Sequence, residues 1–199
     1  MKFKHGFNNY STKEALNYNQ VIYDLYEGKS IKQFQLTNPT LLTNNILINY
    51  TTKSHVIGIR YNSKSSDNRT LIACLLPPNI KCSESIMFED TNLSYDYKLY
   101  ILGILNSFVI DFYVKKICSH MHVGNNIISN IPIPPIDNIY YHQITSLVSD
   151  IMSYPQEKLR NKLDVLVAKL YNISHEEFNY ILSTFKIKHN EYSNLINQF

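Results

Sequence analysis

Residues 97–117 form the most apolar stretch of the chain and read YKLYILGILNSFVIDFYVKKI. Large apolar side chains recur along it at steps of three and four, at Leu99, Leu102, Leu105, Phe108 and Phe112. This spacing places them on one face, so we predict a single long helix with that face in the core. Residues 99–114 contain Asn106, Ser107 and Asp111 and fall short of the roughly 20 uninterrupted apolar residues of a membrane span. We therefore expect a buried helix and no membrane segment.

Short strand candidates precede this helix. Alternating or β-branched apolar patterns predict four strands, at residues 30–36, 46–50, 55–60 and 70–76. A polar loop, residues 62–68, separates the last two. Before them, residues 10–25 show a weak helical pattern.

The last third of the chain changes to a helical pattern. Pro155 starts a helix whose leucines repeat at steps of four, three and four, at Leu159, Leu163, Leu166 and Leu170. Ser174 and Glu177 form a capping box that starts a second helix. The sequence therefore predicts an α+β fold with two parts. Residues 1–138 form a small mixed or antiparallel sheet body with the long buried helix, and residues 139–199 form a C-terminal helical hairpin that packs on it.

The composition is that of an ordinary globular chain. It has 199 residues, of which 44% are hydrophobic and 18% charged, and this excludes a disordered chain or a coiled coil. The net charge is only +3, so binding to a polyanion must come from local clusters of Lys and Arg. Cys74, Cys82 and Cys118 are odd in number and lack CxxC spacing, and no apolar segment follows the basic N-terminus. We therefore expect a reducing, cytoplasmic location without a secretory signal.

Most motifs that carry catalytic chemistry are absent from the sequence. It has no glycine-rich phosphate loop, no GxSxG, no HExxH and no Asn/Asp-Pro-Pro-aromatic methyltransferase motif. We therefore predict no catalytic residue, no cofactor on this chain and no enzymatic activity of the chain on its own.

Two weaker patterns carry alternatives. Glu27-Gly28-Lys29 matches half of a metal-dependent nuclease site, with Glu14 as the only acidic residue at a suitable upstream distance. In residues 118–122, CSHMH, alternation in an extended segment would bring Cys118, His120 and His122 to one side. A fourth ligand is missing from that pattern, so we predict no metal site there.

Four stretches, in chain order, carry a resemblance to a known family. The first is LYEGKSIKQF at residues 25–34. The second is Gly58-Ile59-Arg60, followed by NRTLIA at residues 68–73 and by Leu76-Pro77. The third is LNSFVIDF at residues 105–112, with His122 and Ile131-Pro132 after it. The fourth covers residues 163–185.

Together these stretches resemble the target-recognition region, a TaqI-like C-terminal specificity domain, of type IIG restriction-modification enzymes. In that family one chain carries adenine-specific DNA methyltransferase activity. The similarity spans nearly the whole chain after about Val21. Where many relatives have His-x-Asn, this chain has His122-Val123-Gly124. The methyltransferase core expected before such a region is not in this sequence, so the resemblance places S-adenosylmethionine on a partner methyltransferase or restriction subunit.

Reading a DNA duplex needs cations for the phosphates and forked donors or amides for the base edges. We predict DNA contacts from the polar loop, the turn after the long helix and their flanks, namely Lys29, Arg60, Asn62, Lys64, Asn68, Arg69, Lys115, Lys116, His120, His122 and Asn125. Other roles are open for several of them. The loop also fits a solvated hairpin connection, Arg69 an anchor on backbone carbonyls, and Lys115 and Lys116 the C-terminus of a helix.

The resemblance implies sequence-specific recognition of double-stranded DNA for an adenine methyltransferase of a restriction-modification system. The chain would be a separate specificity subunit or a truncated fragment. One alternative is a protein-interaction module that uses the helical tail and has lost DNA reading. Another is a small metal-dependent nuclease that uses Glu27 and Lys29.

Overall fold

The computed structural model describes residues 2–6, 21–44, 52, 54–63, 68–118 and 122–199, with residues 21–23 and 41–44 described by their backbone only. Several predictions fall outside these residues. They are the strand at residues 46–50, most of the helix at residues 10–25, and the proposed contacts Lys64 and His120.

The strands of the described residues are short and form three sheets. In chain order they are β1 (Phe3–His5), β2 (Val21–Tyr26), β3 (Ile31–Lys32), β4 (Gln35–Leu36), β5 (Thr40–Asn44), β6 (Val56–Arg60), β7 (Ala73–Leu76), β8 (Lys81–Cys82) and β9 (Ile86–Glu89). The main sheet is antiparallel in the order β1, β9, β6, β7. In the second sheet β2 pairs antiparallel with β5 and parallel with β8, and β3 and β4 form a two-stranded hairpin.

Two predictions for the N-terminal half are wrong. Val21 to Leu25 is not the end of a helix but part of β2, because Val, Ile and Tyr favour a strand when a partner such as β5 is in register. The strand predicted at residues 30–36 folds back on itself. A short 3-10 helix (Gly28–Ser30) is followed by β3 and β4, and Phe34 turns the chain with φ 64° while its side chain enters the core.

Seven helices complete the described part of the chain. They are α1 (Tyr95–Leu105), α2 (Phe108–Ile117), α3 (Asn125–Ser129), α4 (Tyr141–Ser153), α5 (Glu157–Leu170), α6 (His175–Ser183) and α7 (His189–Gln198). The α+β fold is therefore confirmed. The capping box at the start of α6 is present, since the Glu177 N–H donates to Ser174 Oγ at 3.2 Å and the Ser174 N–H to Glu177 Oε2 at 2.7 Å. The two predicted C-terminal helices are present as α5 and α6, but α5 packs mainly on α4 and α7 and α6 on α2 and α7 rather than on each other.

The prediction of a single long helix is wrong, because the chain bends by 65° between α1 and α2. At the bend Asn106 leaves the helix and pairs with the edge of the main sheet. Its Nδ2 donates to the Ala73 carbonyl at 3.0 Å, and its Oδ1 accepts from the Ala73 N–H at 3.1 Å. Ser107 then caps α2 by accepting from the Ile110 N–H at 3.3 Å. Polar side chains that compete with helix hydrogen bonds thus divide the apolar stretch.

One hydrophobic core joins the main sheet to the C-terminal helices. It includes Ile59 of β6, Leu102 of α1, Val148 of α4 and Phe178 of α6. Gly103 allows α1 and α4 to approach, since a Cβ there would lie 2.8 Å from Val148 Cγ2. A smaller cluster fills the other face of the sheet. Among the described helices none is long and apolar enough by itself to cross a membrane, although α1 and α2 pass that test as a bent pair.

We predict that Asn106→Ala lowers the free energy of unfolding by about 1–3 kcal/mol, because the buried Ala73 N–H loses its acceptor. Urea unfolding measures this loss. The matched control is Asn194→Ala, which removes an exposed amide from α7 and should change stability by no more than about 0.5 kcal/mol. Equal stability of the two variants would contradict a structural role for the Asn106 amide.

Candidate nucleic-acid interface

The structure brings together the two segments that the sequence singled out for DNA contact. Asn62, at the start of the polar loop, forms an antiparallel bridge with His122, in the turn after α2. Beside it the Val123 N–H donates to the Tyr61 carbonyl at 3.0 Å. The side chains of Asn62 and His122 are both exposed. Main-chain hydrogen bonds thus hold two exposed polar side chains next to each other.

Three rings from three separate parts of the chain meet at this bridge. The imidazole of His122 stacks on Tyr61, with centroids 4.6 Å apart and planes 5° from parallel. The ring of His5 meets Tyr61 edge to face, with centroids 4.5 Å apart. We call His5, Tyr61 and His122 the ring cluster. Tyr61 and His5 are not predicted from the sequence, because no spacing along the chain connects β1, the end of β6 and the turn after α2.

The helix that follows the bridge is also fastened to β1. Asn125, the first residue of α3, donates from its side-chain Nδ2 to the carbonyl of Phe3 at 2.9 Å. Gly124 stands at the N-cap with no side-chain cap. Gly124 therefore offers no side chain at the start of this helix. Asn125, a predicted DNA contact, therefore uses part of its amide to position the turn.

The other end of the polar loop is held between α2 and the C-terminal tail. The Asn68 carbonyl accepts from Lys115 Nζ at 2.9 Å, and Asn68 Oδ1 accepts from the Lys186 N–H at 3.1 Å. The Lys115 ammonium also lies 4.3 Å from the centroid of the Phe185 ring. Lys116 is exposed, with its Nζ 5.1 Å from the ring of Phe112. Lys115 thus contacts the loop directly, Lys116 follows it in the last turn of α2, and the tail contributes a contact that the sequence did not indicate.

Arg69 is directed into the protein. Its Nε lies 3.2 Å from Asp111 Oδ2, its Nη2 donates to the Asn106 carbonyl, and its guanidinium lies 4.2 Å above the Phe108 ring. Only 13% of its side chain is exposed. These contacts favour the anchoring role over direct reading of DNA, because the forked donors already face protein acceptors.

Arg60 has a similar position at the other end of the loop. Its Nε donates to the Gly28 carbonyl at 3.0 Å and its Nη2 to the Ile31 carbonyl at 2.5 Å. Gly28 is enclosed here, since its N–H donates to Ser85 Oγ at 2.8 Å and a Cβ would lie 2.9 Å from the Ser85 carbonyl oxygen. Arg60 therefore ties the start of the polar loop to residues 28–31.

Two buried carboxylates hold α2 beneath the loop. Asp111 accepts from the N–H groups of Thr70 and Leu71, at 2.9 and 2.7 Å, and pairs with Arg69. Asp164 of α5 accepts from the Phe108 N–H at the start of α2, at 2.7 Å. Burial raises the pKa of both groups despite the opposing charge of Arg69, and it raises the pKa of Asp164 to about 7.

Lys29 and Glu27, which carry the nuclease alternative, are paired with each other. Lys29 Nζ lies 2.7 Å from Glu27 Oε2, which also accepts from Thr40 Oγ1 at 2.6 Å. Both contacts lower the pKa of the Glu27 carboxyl. Within the described residues no three His, Cys, Asp or Glu side chains come close enough to hold a metal ion. Glu14 lies outside those residues.

Comparisons with known proteins do not assign the chain to a family. No protein-family model matches the chain, and no curated protein matches its sequence.

We predict that Asp164→Asn reduces the pH dependence of stability. Because the pKa of Asp164 is about 7 in the folded protein and about 4 when unfolded, folding takes up a proton between these values. Stability from this group is thus full below pH 4 and is lost as the pH rises through 7, by up to about 1.4 kcal/mol per pH unit. The amide oxygen of Asn still accepts from the Phe108 N–H without carrying a charge.

Urea unfolding at pH 5 and pH 8 measures this effect. The wild-type protein should lose more stability between the two pH values than Asp164→Asn does. Asp150→Asn, at an exposed position of α4, is the control and should behave as the wild type. Parallel losses in the wild type and Asp164→Asn would show that Asp164 does not take up the proton.

Proposed function

We propose that the chain binds a short double-stranded DNA site and supplies target recognition to an adenine-specific DNA methyltransferase. The bridge between Asn62 and His122 carries this proposal. It joins the polar loop and the turn after α2, for each of which the sequence separately predicts DNA contacts. A surface assembled from two such segments fits a reader of base edges better than an isolated surface loop does.

The chemistry of the exposed groups suits this role. The Asn62 side chain offers one acceptor and two donors, the combination that pairs with the N6 and N7 atoms of adenine in the major groove. The His122 imidazole has a polar edge and one ring face against Tyr61. The main chain at Asn62 and His122 is fixed by the bridge, so little backbone entropy is lost when DNA binds.

The same proposal leaves methyl transfer to another protein. The chain would hold the partner over its site, and the partner would bind S-adenosylmethionine and flip the target adenine out of the duplex. DNA binding and methylation would take place in the cytoplasm. The chain acts either as a separate specificity subunit or as a fragment of a larger enzyme.

A protein-interaction module is the second candidate. It is favoured by two exposed apolar side chains between α3 and α4, Ile136 at 56% and Ile139 at 78% exposure. These side chains lie next to the proposed boundary at residue 139. Co-purification with a methyltransferase in the absence of any duplex binding would favour this candidate.

We predict that Asn62→Ala and His122→Ala each weaken binding to the preferred duplex by about 1–3 kcal/mol and relax its sequence preference. The preferred duplex is obtained by selecting bound sequences from a random pool with the wild-type protein. The dissociation constants of the selected and of unselected duplexes are then measured at several salt concentrations. Side-chain removal leaves the main-chain bridge in place, so the fold should be retained.

His142→Ala is the matched control. His142 is also an exposed histidine in contact with a tyrosine ring, Tyr141, but it lies on α4. Its removal should leave the dissociation constants unchanged. If the wild type binds no duplex, or if His122→Ala and His142→Ala bind the selected duplex as the wild type does, this surface is not the reader.

A further inference from the structure

The segment between α6 and α7 presents two lysines beside the polar loop. Along residues 185–188 burial alternates, since Phe185 is buried, Lys186 exposed, Ile187 half-buried and Lys188 exposed. The apolar members anchor the segment, because the Phe185 ring packs against Phe108 of α2 with centroids 4.8 Å apart. The lysines therefore face solvent from a segment whose backbone is fixed.

This segment touches the polar loop directly. The Lys186 N–H donates to Asn68 Oδ1, while Lys115 donates to the carbonyl of the same residue. Phe185 lies under the Lys115 ammonium. Asn68 is thus held by α2 on one side and by the tail on the other. Lys115 and Lys186 contact Asn68, and Lys116 and Lys188 follow them closely along the chain, so the last turn of α2 and the segment at residues 185–188 carry four lysines.

Three of these lysines take part in none of the ion pairs that the structure gives for the described residues. The ion pairs of the described residues join Lys4 to Asp90, Lys29 to Glu27, Arg69 to Asp111 and Lys98 to Glu89. None of them involves Lys116, Lys186 or Lys188. Asp111 interacts electrostatically with Lys115, and the half-buried Glu191 in the first turn of α7 interacts with Lys188, Arg69 and Arg160. Positive charge is therefore concentrated locally, although the whole chain carries only +3.

We propose that Lys186 and Lys188 of the tail, with Lys115 and Lys116, bind the phosphates of the DNA strand that passes the Asn68 end of the loop. This inference rests on the proposed function and extends it to a part of the chain that the sequence assigned to helix packing. Lysine suits the role, because its ammonium is a point charge on a flexible stem. Phosphate contacts position a protein on the duplex without reading its sequence.

The test removes the two tail lysines together, as Lys186→Ala with Lys188→Ala. Binding of the selected and of an unselected duplex is measured over a range of salt concentrations. We expect the slope of log affinity against log salt to flatten by about 2, one for each lost phosphate contact. Affinity should fall equally for both duplexes, because no base is read. The ratio between them should stay as in the wild type.

Lys158→Ala with Lys162→Ala is the matched control. It removes the same charge from exposed positions of α5, on the side of that helix roughly opposite Asp164, which contacts the start of α2. The wild-type slope should be retained. Lys186→Arg with Lys188→Arg keeps the charge and should also retain the slope, which separates charge from a structural effect of the substitution.

The outcomes distinguish this inference from the proposed function. A wild-type protein without salt-dependent duplex binding would overturn both. Duplex binding that is weakened by His122→Ala but keeps its salt slope in the double alanine variant would leave the function standing and overturn the role of the tail. A flatter slope of log affinity against log salt in Lys186→Arg with Lys188→Arg, or in Lys158→Ala with Lys162→Ala, would also overturn the role of the tail lysines.

Discussion

The rest of the structure depends on the pairing of the Asn106 side chain with the main chain of Ala73. The amide supplies one donor and one acceptor to a sheet edge, as a residue of a neighbouring strand would. It thereby ends α1 and turns the chain by 65° into α2. The bend points the start of α2 at the strand connection, so that Asp111 reaches the N–H groups of Thr70 and Leu71. A continuous helix would leave those buried groups without acceptors.

This arrangement explains why Arg60 and Arg69, which flank the polar loop, bind groups of the protein itself. Residue 69 follows the loop directly, and its guanidinium meets Asp111 and the carbonyl exposed by the bend. Residue 60 precedes the loop and binds the carbonyls of Gly28 and Ile31. Each end of the loop is thus fixed by a forked donor. Asn62 and His122, next to the Arg60 end of the loop, remain exposed while main-chain hydrogen bonds fix their backbone.

Prediction from sequence succeeded where a signal is local. The strand at β6, the helices α5 and α6 and the capping box at Ser174 follow from periodicity and cap chemistry. It failed where contacts between residues far apart in the sequence determine the local structure. The bend needs Ala73 as a partner for Asn106, and the hairpin of β3 and β4 needs Phe34 to enter the core. The ring cluster joins residues 5, 61 and 122, and no pattern within one segment reports such a meeting.

The buried carboxylates Asp111 and Asp164 lower the stability of the fold, but their geometry gives them a structural role. Burying carboxylates opposes folding, as the raised pKa values of Asp111 and Asp164 show. An apolar contact of similar size would let the packed segments slide against each other. Each carboxylate here instead accepts from specific N–H groups of the loop connection or of α2. Asp164 belongs to α5, so this contact sets the position of the tail against the body. That position brings the Lys186 N–H within reach of Asn68. The buried charges therefore connect the tail lysines and the polar loop into one surface, at an expense in stability that increases as the pH rises toward 7.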